Sequence, residues 1–197
     1  MQFIQHRVNK ISDLKSLNSA LGAEIDIRSD VYQPSSLHLA HDPWSPGDKL
    51  SEWLETYKEQ NQTGTIIFNT KEDNLEEEIL KLCDKYQISN FFFLDTALPT
   101  LIRFLQTAHA PKFACRLSKY ESLEFLEPFE KQVKWLWADC FHGEPLDASL
   151  LERASKKFQI CLVSPELQKQ SLDKINSFKH LVPFLHSICS KRPDLWT

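Results

Sequence analysis

The stretch Ala23-Glu24-Ile25-Asp26-Ile27-Arg28 is the most informative part of the sequence. Side chains alternate between the two faces of a strand, so Glu24 and Asp26 share one face and the apolar residues share the other. Two neighbouring carboxylates at the end of an apolar strand repel each other unless a cation, a shared proton or a basic partner offsets their charge. A His41-Asp42 pair follows after a turn-rich passage. The pattern indicates a site for acid–base chemistry beside paired carboxylates.

The bulk composition is typical of a globular protein in water. The chain has 197 residues, of which 42% are hydrophobic and 25% are charged. A chain of this length buries roughly 70% of its unfolded surface, so we expect a single domain over residues 1–197 whose core needs no disulfide or structural metal. The net charge of −4 gives no electrostatic reason to expect a nucleic acid partner.

The cysteines and the start of the chain bear on the cellular compartment. The five cysteines are an odd number, show no CxxC spacing and lie mostly in apolar runs; they are Cys83, Cys115, Cys140, Cys161 and Cys189. This usage predicts reduced, buried thiols rather than a disulfide framework or a zinc site. The sequence begins without a charged leader and apolar segment, and no run approaches the roughly 18 apolar residues of a membrane span. A cytoplasmic location is therefore expected.

Strand-like and helix-like segments alternate along the chain. The predicted strands cover residues 3–7, 23–28, 65–71, 90–95, 112–117, 133–139, 158–163 and 183–190. The predicted helices cover residues 12–21, 50–60, 74–86, 99–108, 121–132, 147–157 and 165–178, and residues 29–47 are predicted to be a loop. Ser12, Asn74 and Asp147 are the predicted N-caps of three of these helices. Alternation of this kind predicts parallel strands joined by crossover helices.

Eight strands without a topological switch favour a closed barrel over an open sheet. The predicted fold is α/β, a compact (β/α)8 TIM barrel with a parallel eight-stranded sheet. Typical barrels of this kind have about 250 residues, so we expect short loops. With four glycines in the chain, no glycine-rich dinucleotide or phosphate loop can be built.

Polar residues stand at the carboxyl ends of nearly all predicted strands. They are His6, Asp26, Arg28, Asn69, Lys71, Asp95, Arg116, Ser118, Asp139, Ser164, Glu166 and Lys191. In a parallel barrel these ends meet at one mouth, where the active sites of this fold lie. Junctions between strands and loops are also polar for structural reasons alone. Strand parity favours a site, because Asn69 and Lys71 lie on the same face as Ile67.

Four short motifs occur in order at the ends of the first three strands: His6-Arg7, Glu24-x-Asp26, His41-Asp42 and Asn69-x-Lys71. This combination resembles the glycerophosphodiester phosphodiesterase family and, more broadly, the phosphatidylinositol-specific phospholipase C superfamily. The segment His6-Arg7-Val8-Asn9 is also similar to the opening of the sphingomyelinase D branch. Residues 164–167 and 189–196 resemble the seventh and eighth strand ends of the family, so the likeness spans almost the whole chain.

The resemblance implies a phosphoric diester hydrolase that acts on a small or lipid-derived phosphodiester. It also implies a divalent cation, Mg²⁺ or Ca²⁺, at the barrel mouth. The residues at the matching positions are Glu24, Asp26 and Asn69 for the metal, and His6, His41 and Lys71 for catalysis. A small-molecule partner follows, with no nucleic acid and no membrane span, and the oligomeric state is not predicted.

These residue types suit the chemistry of a phosphodiester. The negative charge of the substrate repels a nucleophile until a cation and a lysine neutralise the phosphate oxygens. Two histidines that titrate near neutrality can lie on opposite sides of the phosphorus, one to deprotonate the attacking hydroxyl and one to protonate the leaving alkoxide. In this superfamily the attacking group is often a neighbouring hydroxyl of the substrate, which gives a cyclic phosphate that water can later open.

Three features depart from the pattern of the family. Asn69 stands where most relatives have a third metal carboxylate, so one negative charge is missing and the affinity for a cation should fall. Val8 replaces the glycine that usually follows the His-Arg pair of the glycerophosphodiesterases. The short separation of Asp26 and Asn69 leaves little room for the insertion that those enzymes place around the substrate.

Several further residues are candidates for the substrate pocket: Arg7, Arg116, Trp137, Asp139 and Glu166. Each of them also has a structural interpretation, and Trp137 in particular can fill the barrel. The segment Phe91-Phe92-Phe93 and the Trp135/Trp137 pair are most simply explained by core packing. The histidines outside the motifs are expected to be structural or to lie on the surface; they are His38, His109, His142, His180 and His186.

Two other functions stay open at the level of the sequence. Asn69 and the missing insertion also fit a catalytically impaired barrel that serves as a ligand-binding or scaffold protein. An unrelated barrel enzyme, such as an isomerase or an aldolase with Lys71 as the reactive amine, is a third interpretation. The structural alternative to a metal site is that Glu24 and Asp26 are salt-bridge partners of Arg28 or Lys71.

Overall fold

A computed structural model describes residues 1–30, 32–33 and 35–196 of the chain. Within these residues the strands are β1 (Gln2–Gln5), β2 (Gly22–Ser29), β3 (Leu37–Leu39), β4 (Ile66–Thr70), β5 (Phe91–Leu94), β6 (Ala114–Leu117), β7 (Trp135–Ala138), β8 (Gln159–Val163) and β9 (Ser187–Ser190). The α-helices are α1 (Ile11–Ser16), α2 (Leu50–Glu59), α3 (Glu76–Tyr86), α4 (Leu98–Phe104), α5 (Leu123–Leu126), α6 (Ala148–Ser155) and α7 (Ile175–Phe178).

Eight of these strands form a parallel, nearly closed barrel. Their order is β5-β4-β2-β1-β9-β8-β7-β6, and a parallel bridge between Phe93 and Phe113 joins the two ends of this order. Strand β3 pairs antiparallel with β2 outside the barrel. The predicted (β/α)8 barrel is confirmed, whereas β3 lies in the stretch that was predicted to be a loop. Its three residues carry too little periodicity for a strand to be distinguished from a loop.

Strand parity divides the apolar residues into two layers. Ile25 and Ile27 belong to the outer layer, between the sheet and the helices. Residues of the opposite parity line the interior of the barrel; they are Ile4, Ile67, Phe92, Leu94, Trp137, Cys161, Val163 and Cys189. Phe92 stacks on Trp135 with the ring centroids 4.5 Å apart. The predicted packing role of these aromatic residues is confirmed, and the polar strand ends lie at the mouth above this apolar interior.

Helix α1 is shorter than predicted and is capped differently. It covers Ile11–Ser16 rather than residues 12–21, and Ser12 lies inside the helix instead of capping it. The backbone N–H of Ile11 donates to a carboxylate oxygen of Asp48 at 2.6 Å. The free N–H groups of a helix start can donate to any well-placed oxygen, so a cap from a distant loop leaves no local signal in the sequence.

The other two predicted caps have opposite outcomes. Asp147 caps α6 as predicted, because its carboxylate accepts from the backbone N–H groups of Ser149 and Leu150. Asn74 does not cap α3, which begins at Glu76, and its φ of 69° is left-handed rather than the extended conformation of an N-cap.

Three predicted segments are shorter or more broken than expected. The helix predicted over residues 121–132 is reduced to α5 and a 3₁₀ turn, because Pro128 lacks the backbone N–H that would continue it. The helix predicted over residues 165–178 consists of two 3₁₀ turns followed by α7. The last strand begins at Ser187 rather than near residue 183, since a 3₁₀ turn occupies Lys179–Phe184.

The cysteines are free and buried, as predicted. Burial raises the pKa of the Cys83 and Cys115 thiols to about 12, which keeps them protonated and unreactive at neutral pH. Among the described residues, no helix is long and apolar enough to cross a membrane.

Gly64, in the loop before β4, packs closely against the start of β2. A Cβ atom at this position would lie 2.2 Å from the carbonyl oxygen of Leu21 and 2.7 Å from the Cα of Gly22. These are backbone atoms that cannot move without shifting β2. We therefore expect Gly64→Ala to lower the free energy of unfolding by about 1–3 kcal/mol, the usual cost of overpacking. Urea unfolding measures this loss of stability, with a substitution at the exposed neighbour, Thr63→Ala, as control. Equal stability of the two variants would contradict the contact.

Candidate active site

Glu24 and Asp26 lie two residues apart on the same face in the middle of β2, and both are buried, with 1% and 0% of the residue exposed. The parallel register pairs Asp26 with Asn69 of β4 and brings the start of β2 beside the end of β1. The predicted inward face of β2 is confirmed, since Ile25 belongs to the outer layer. Two carboxylates therefore share one buried environment at the mouth.

Glu24 is held by three groups. The backbone N–H of Arg7 donates to Glu24 Oε2 at 2.8 Å, and Asn69 Nδ2 donates to Glu24 Oε1 at 2.9 Å. His6 Nε2 lies 3.7 Å from Glu24 Oε2. Burial, and after it the charge of Asp26, raises the pKa of Glu24 to about 7, against the hydrogen bond from Asn69. This carboxyl therefore retains a proton to a higher pH than an exposed glutamate does.

Asp26 carries the basic partners of the pair. Lys71 Nζ lies 3.0 Å from Asp26 Oδ1, and Arg7 Nε lies 3.5 Å from Asp26 Oδ2. Asn9 holds the same residue twice, because its Nδ2 donates to Asp26 Oδ2 at 2.9 Å and its Oδ1 accepts from the backbone N–H of Asp26 at 2.9 Å. Sequence reasoning did not assign Asn9 to the site; its only signal was its place in the His6-Arg7-Val8-Asn9 motif.

His6 is a largely buried histidine in a positive environment. Burial is the main cause that lowers its pKa to about 3; the charges of Arg7, Lys191 and Lys71 act in the same direction, and Asp26 opposes them. Its Nδ1 has no hydrogen-bond partner among the described residues. The ring is therefore neutral at physiological pH, and its Nδ1 is a buried nitrogen without a partner in the described part of the chain.

His41 lies on the loop after β3 and is more exposed than His6, with 42% of its side chain accessible. Its Nδ1 lies 2.8 Å from Asp42 Oδ1, and this contact lowers the pKa of Asp42. The loop is tied to the site through its backbone: the N–H of Ala40 donates to the carbonyl of Asp26 at 3.1 Å, and Arg28 donates to the carbonyl of His41 at 2.9 Å. His41 is thus fixed at the rim, while its ring contacts Asp42.

The oxygens of this site fit a hard divalent cation. Asn69 Oδ1 is buried and has no hydrogen-bond partner within the described part of the chain, and the buried Asp26 Oδ1 has the Lys71 ammonium 3.0 Å away. With Glu24 they form a set of oxygen ligands that Mg²⁺ or Ca²⁺ accepts. The set has two carboxylates and one amide. The described residues contain no group of three His, Cys, Asp or Glu side chains that could hold a metal. Lys71 competes with a cation for Asp26, since it already lies 3.0 Å away.

The opposite half of the mouth is built around Arg116 at the end of β6. Its guanidinium forms ion pairs with Asp95 and Asp139, and a weaker one with Glu121 at 3.9 Å. Gln168 Nε2 donates to Asp139 at 2.6 Å. Burial raises the pKa of Asp139 above its usual range, and the neighbouring arginine acts in the opposite direction. Arg116 and Asp139 are therefore brought together, and their predicted role in substrate binding stays a prediction.

Trp137 and Glu166 have structural contacts, and their predicted role in substrate binding stays a prediction. Trp137 is buried in the barrel interior. Glu166 accepts hydrogen bonds from the Ser190 hydroxyl at 2.6 Å, from the Lys191 backbone N–H at 2.9 Å and from the Ser164 hydroxyl. These contacts tie the end of β8 to the end of β9. They occupy both carboxylate oxygens, so a substrate would have to displace an internal partner to reach Glu166.

Comparison with solved structures places this mouth in a known fold. A candidate glycerophosphodiester phosphodiesterase from Galdieria sulphuraria superimposes with a TM-score of 0.77 at 15% identity, over 99% of this chain and 95% of that one. The chain has the fold of the glycerophosphodiester phosphodiesterases. No protein-family model and no curated protein matches the sequence.

Two further structures of this fold superimpose along the whole chain. The glycerophosphodiester phosphodiesterase from Agrobacterium tumefaciens has a TM-score of 0.67 at 12% identity, over 100% of this chain and 98% of that one. The glycerophosphoryl diester phosphodiesterase from Parabacteroides distasonis has a TM-score of 0.65 at 12% identity, over 99% of this chain and 84% of that one. The resemblance predicted from the motifs is confirmed at the level of the fold, and the likeness to the sphingomyelinase D branch stays a prediction.

Proposed function

We propose that this chain is a phosphodiesterase that hydrolyses a small or lipid-derived phosphodiester at the barrel mouth. The observation that carries the proposal is the cluster at the ends of β1, β2 and β4. It combines a neutral histidine, two buried carboxylates and a lysine at hydrogen-bond or ion-pair distances. Groups of these types neutralise a phosphate and transfer a proton to or from it. The names of the three superimposed structures support the same class of reaction.

His6 is assigned as the general base of the reaction. Burial, helped by the charges of Arg7 and Lys71, keeps its ring unprotonated, and its buried Nδ1 has no partner among the described residues. A bound phosphodiester anion offsets those positive charges, which raises the pKa of His6 toward the range in which a base accepts a proton efficiently. The base therefore becomes effective when the substrate is present.

His41 is assigned as the general acid. The carboxylate of Asp42 holds its Nδ1 at 2.8 Å, so the other ring nitrogen is directed away from that contact. The carboxylate thus orients the ring, so that the other nitrogen can face a leaving alkoxide and donate a proton to it. The position of this histidine on the rim suits a leaving group that departs toward solvent.

Lys71 and Arg7 are assigned to the phosphate oxygens, and Glu24, Asp26 and Asn69 would hold Mg²⁺ or Ca²⁺. A bound cation supplies Lewis-acid neutralisation of the phosphate charge. Within the chain itself, the same carboxylates orient Arg7 and Lys71. The missing third carboxylate predicts cation binding weaker than that of a three-carboxylate site.

Asn9 is expected to position Asp26, because it makes both a donor and an acceptor contact with that residue. Partners behind a ligating or catalytic group typically contribute about 10- to 100-fold. We expect Asn9→Ala to lower kcat/KM by about 10-fold or more, with the exposed Asn176→Ala as control. Unchanged activity of Asn9→Ala would show that Asp26 needs no such support.

The direct test of the function is product formation. The protein is incubated with Mg²⁺ or Ca²⁺ and a panel of glycerophosphodiesters and lysophospholipids, and ³¹P NMR follows the loss of the diester signal. We expect new monoester or cyclic phosphate signals, and we expect that they do not form when a chelator is present. A panel that remains intact with either cation would contradict the proposal.

A second candidate function rests on the hydrogen bond between Asn69 and Glu24. An amide that binds Glu24 lowers the charge available to a cation, which suits a catalytically impaired barrel that binds a ligand or serves as a scaffold. Calorimetry separates the two functions. Stoichiometric binding of Mg²⁺, Ca²⁺ or Mn²⁺ that is lost in Glu24→Gln counts against an inactive site.

A further inference from the structure

Lys191 follows β9 and stands beside His6 in the barrel. Strands β1 and β9 are parallel, with Gln5 opposite Ser190, and the His6 backbone N–H donates to the Ser190 carbonyl at 3.0 Å. The next pair in this register is His6 with Lys191. The motif resemblance assigned no role to this lysine.

Lys191 is the first residue after β9, and the parity of that strand, if continued, would turn its side chain toward the mouth. Cys189 lies in the barrel interior, and Lys191 is two residues further along the same side of the chain. The residue is exposed, and within residues 1–30, 32–33 and 35–196 no carboxylate lies within ion-pair distance of its ammonium. Its charge is nevertheless felt at His6, whose pKa it helps to lower.

The backbone of Lys191 is fixed on both sides. Its N–H donates to Glu166 Oε1 at 2.9 Å, and its carbonyl accepts from Gln5 Nε2 at 3.4 Å. Glu166 is itself held by the Ser190 and Ser164 hydroxyls, and Trp196 Nε1 donates to Ser164 at 2.9 Å. This buried network places an unpaired lysine at a defined position beside the proposed base.

Three other basic residues of the mouth already have anionic partners. Lys71 and Arg7 lie against Asp26, and Arg116 is held by Asp95 and Asp139. A positive side chain without such a partner binds a new anion at a lower cost, because no internal ion pair has to be broken.

We propose that Lys191 is a second phosphate-binding lysine, whose ammonium contacts the non-bridging oxygens of the phosphodiester on the His6 side. The proposal rests on the proposed function for its substrate, and its geometry requires only an anionic phosphate at the mouth. Asn69 removes one negative charge from the cation ligands, so the cation is expected to bind more weakly. Lys191 would add positive charge for the phosphate at the same site. Glu166, which accepts from the backbone N–H of Lys191, would then position this lysine for the substrate.

The test measures phosphate binding separately from catalysis. Isothermal titration calorimetry with inorganic phosphate, in the presence of Mg²⁺, compares the wild type with Lys191→Met, Lys191→Arg and Lys156→Met. Lys156 is the exposed C-cap residue of α6, is paired with Glu152, and serves as the matched control. Losing a charge-assisted contact is expected to weaken phosphate binding about 10- to 100-fold in Lys191→Met. Lys191→Arg retains the charge and is expected to stay within about threefold of the wild type, as is Lys156→Met.

The outcomes separate the two proposals. Phosphate binding by Lys191→Met as tight as that of the wild type overturns the role of Lys191, and so does a wild type that binds no phosphate. A wild type that binds phosphate through Lys191 but hydrolyses no diester supports the phosphate contact and contradicts the phosphodiesterase. Because Lys191 is exposed, all variants are expected to melt within a few degrees of the wild type, and Lys191→Gln provides a second neutral variant.

Discussion

Replacement of His6 by alanine is expected to lower kcat by about 10²- to 10⁴-fold, the usual contribution of a general base. The reason is local: the ring is neutral, and its Nδ1 is an unpartnered nitrogen among the described residues. The thermal midpoint should change little, because no strong hydrogen bond of this side chain is lost. Steady-state kinetics on the best diester of the panel, together with a thermal melt, measures both quantities.

His180→Ala is the matched control for this replacement. His180 is exposed and lies in the 3₁₀ turn before β9, at the opposite end of the barrel from the mouth. The activity of the His180→Ala variant should equal that of the wild type. A His6→Ala protein that keeps half or more of the wild-type kcat would show that His6 has only a structural role.

Replacement of Glu24 by glutamine is expected to have two large and opposite effects. Binding of Mg²⁺ or Ca²⁺ and diester hydrolysis should both be lost, because one of the two carboxylates of the site is neutralised. The chelated protein should become more stable above pH 7, since the buried carboxylate beside Asp26 is no longer ionised there. The Asn69 amide can rotate to accept from the new side chain, which leaves an oxygen for the N–H of Arg7.

The sign of the stability effect follows from proton linkage. The pKa of Glu24 in the folded protein is raised from 4.5 to about 7, so the folded state retains a proton that the unfolded state loses. Stability of the chelated wild type therefore falls as the pH rises from about 4.5 to about 7, by on the order of 2–3 kcal/mol in total. Urea unfolding across this pH range should show the decline in the wild type and in the exposed control Glu52→Gln. Its persistence in Glu24→Gln would assign the decline to another group.

The barrel and the inward face of β2 could be predicted because both depend on short-range periodicity. Alternation along Ala23–Arg28 identified which side chains face the interior, and the repeating strand pattern predicted the parallel sheet. The position of His6 beside Glu24 then followed from the common orientation of the strand ends.

Other features depend on contacts between distant residues, which periodicity does not reveal. The cap of α1 comes from Asp48, and Asn9 holds Asp26 from the turn after β1. Glu166 looked like a pocket residue from its strand end, but internal hydroxyl and N–H groups occupy its carboxylate. The pairing of Lys191 with His6 depends on the β1–β9 contact, which joins the two ends of the chain.

The measurement that tests the account most directly is ³¹P NMR of one glycerophosphodiester with Mg²⁺, in parallel with wild type, His6→Ala and His180→Ala. The account predicts that wild type and His180→Ala convert the diester to a monoester or cyclic phosphate at equal rates. It also predicts that His6→Ala, or the wild type with a chelator, leaves the diester intact. Conversion by His6→Ala in the presence of a chelator, at the rate of the wild type, would contradict it.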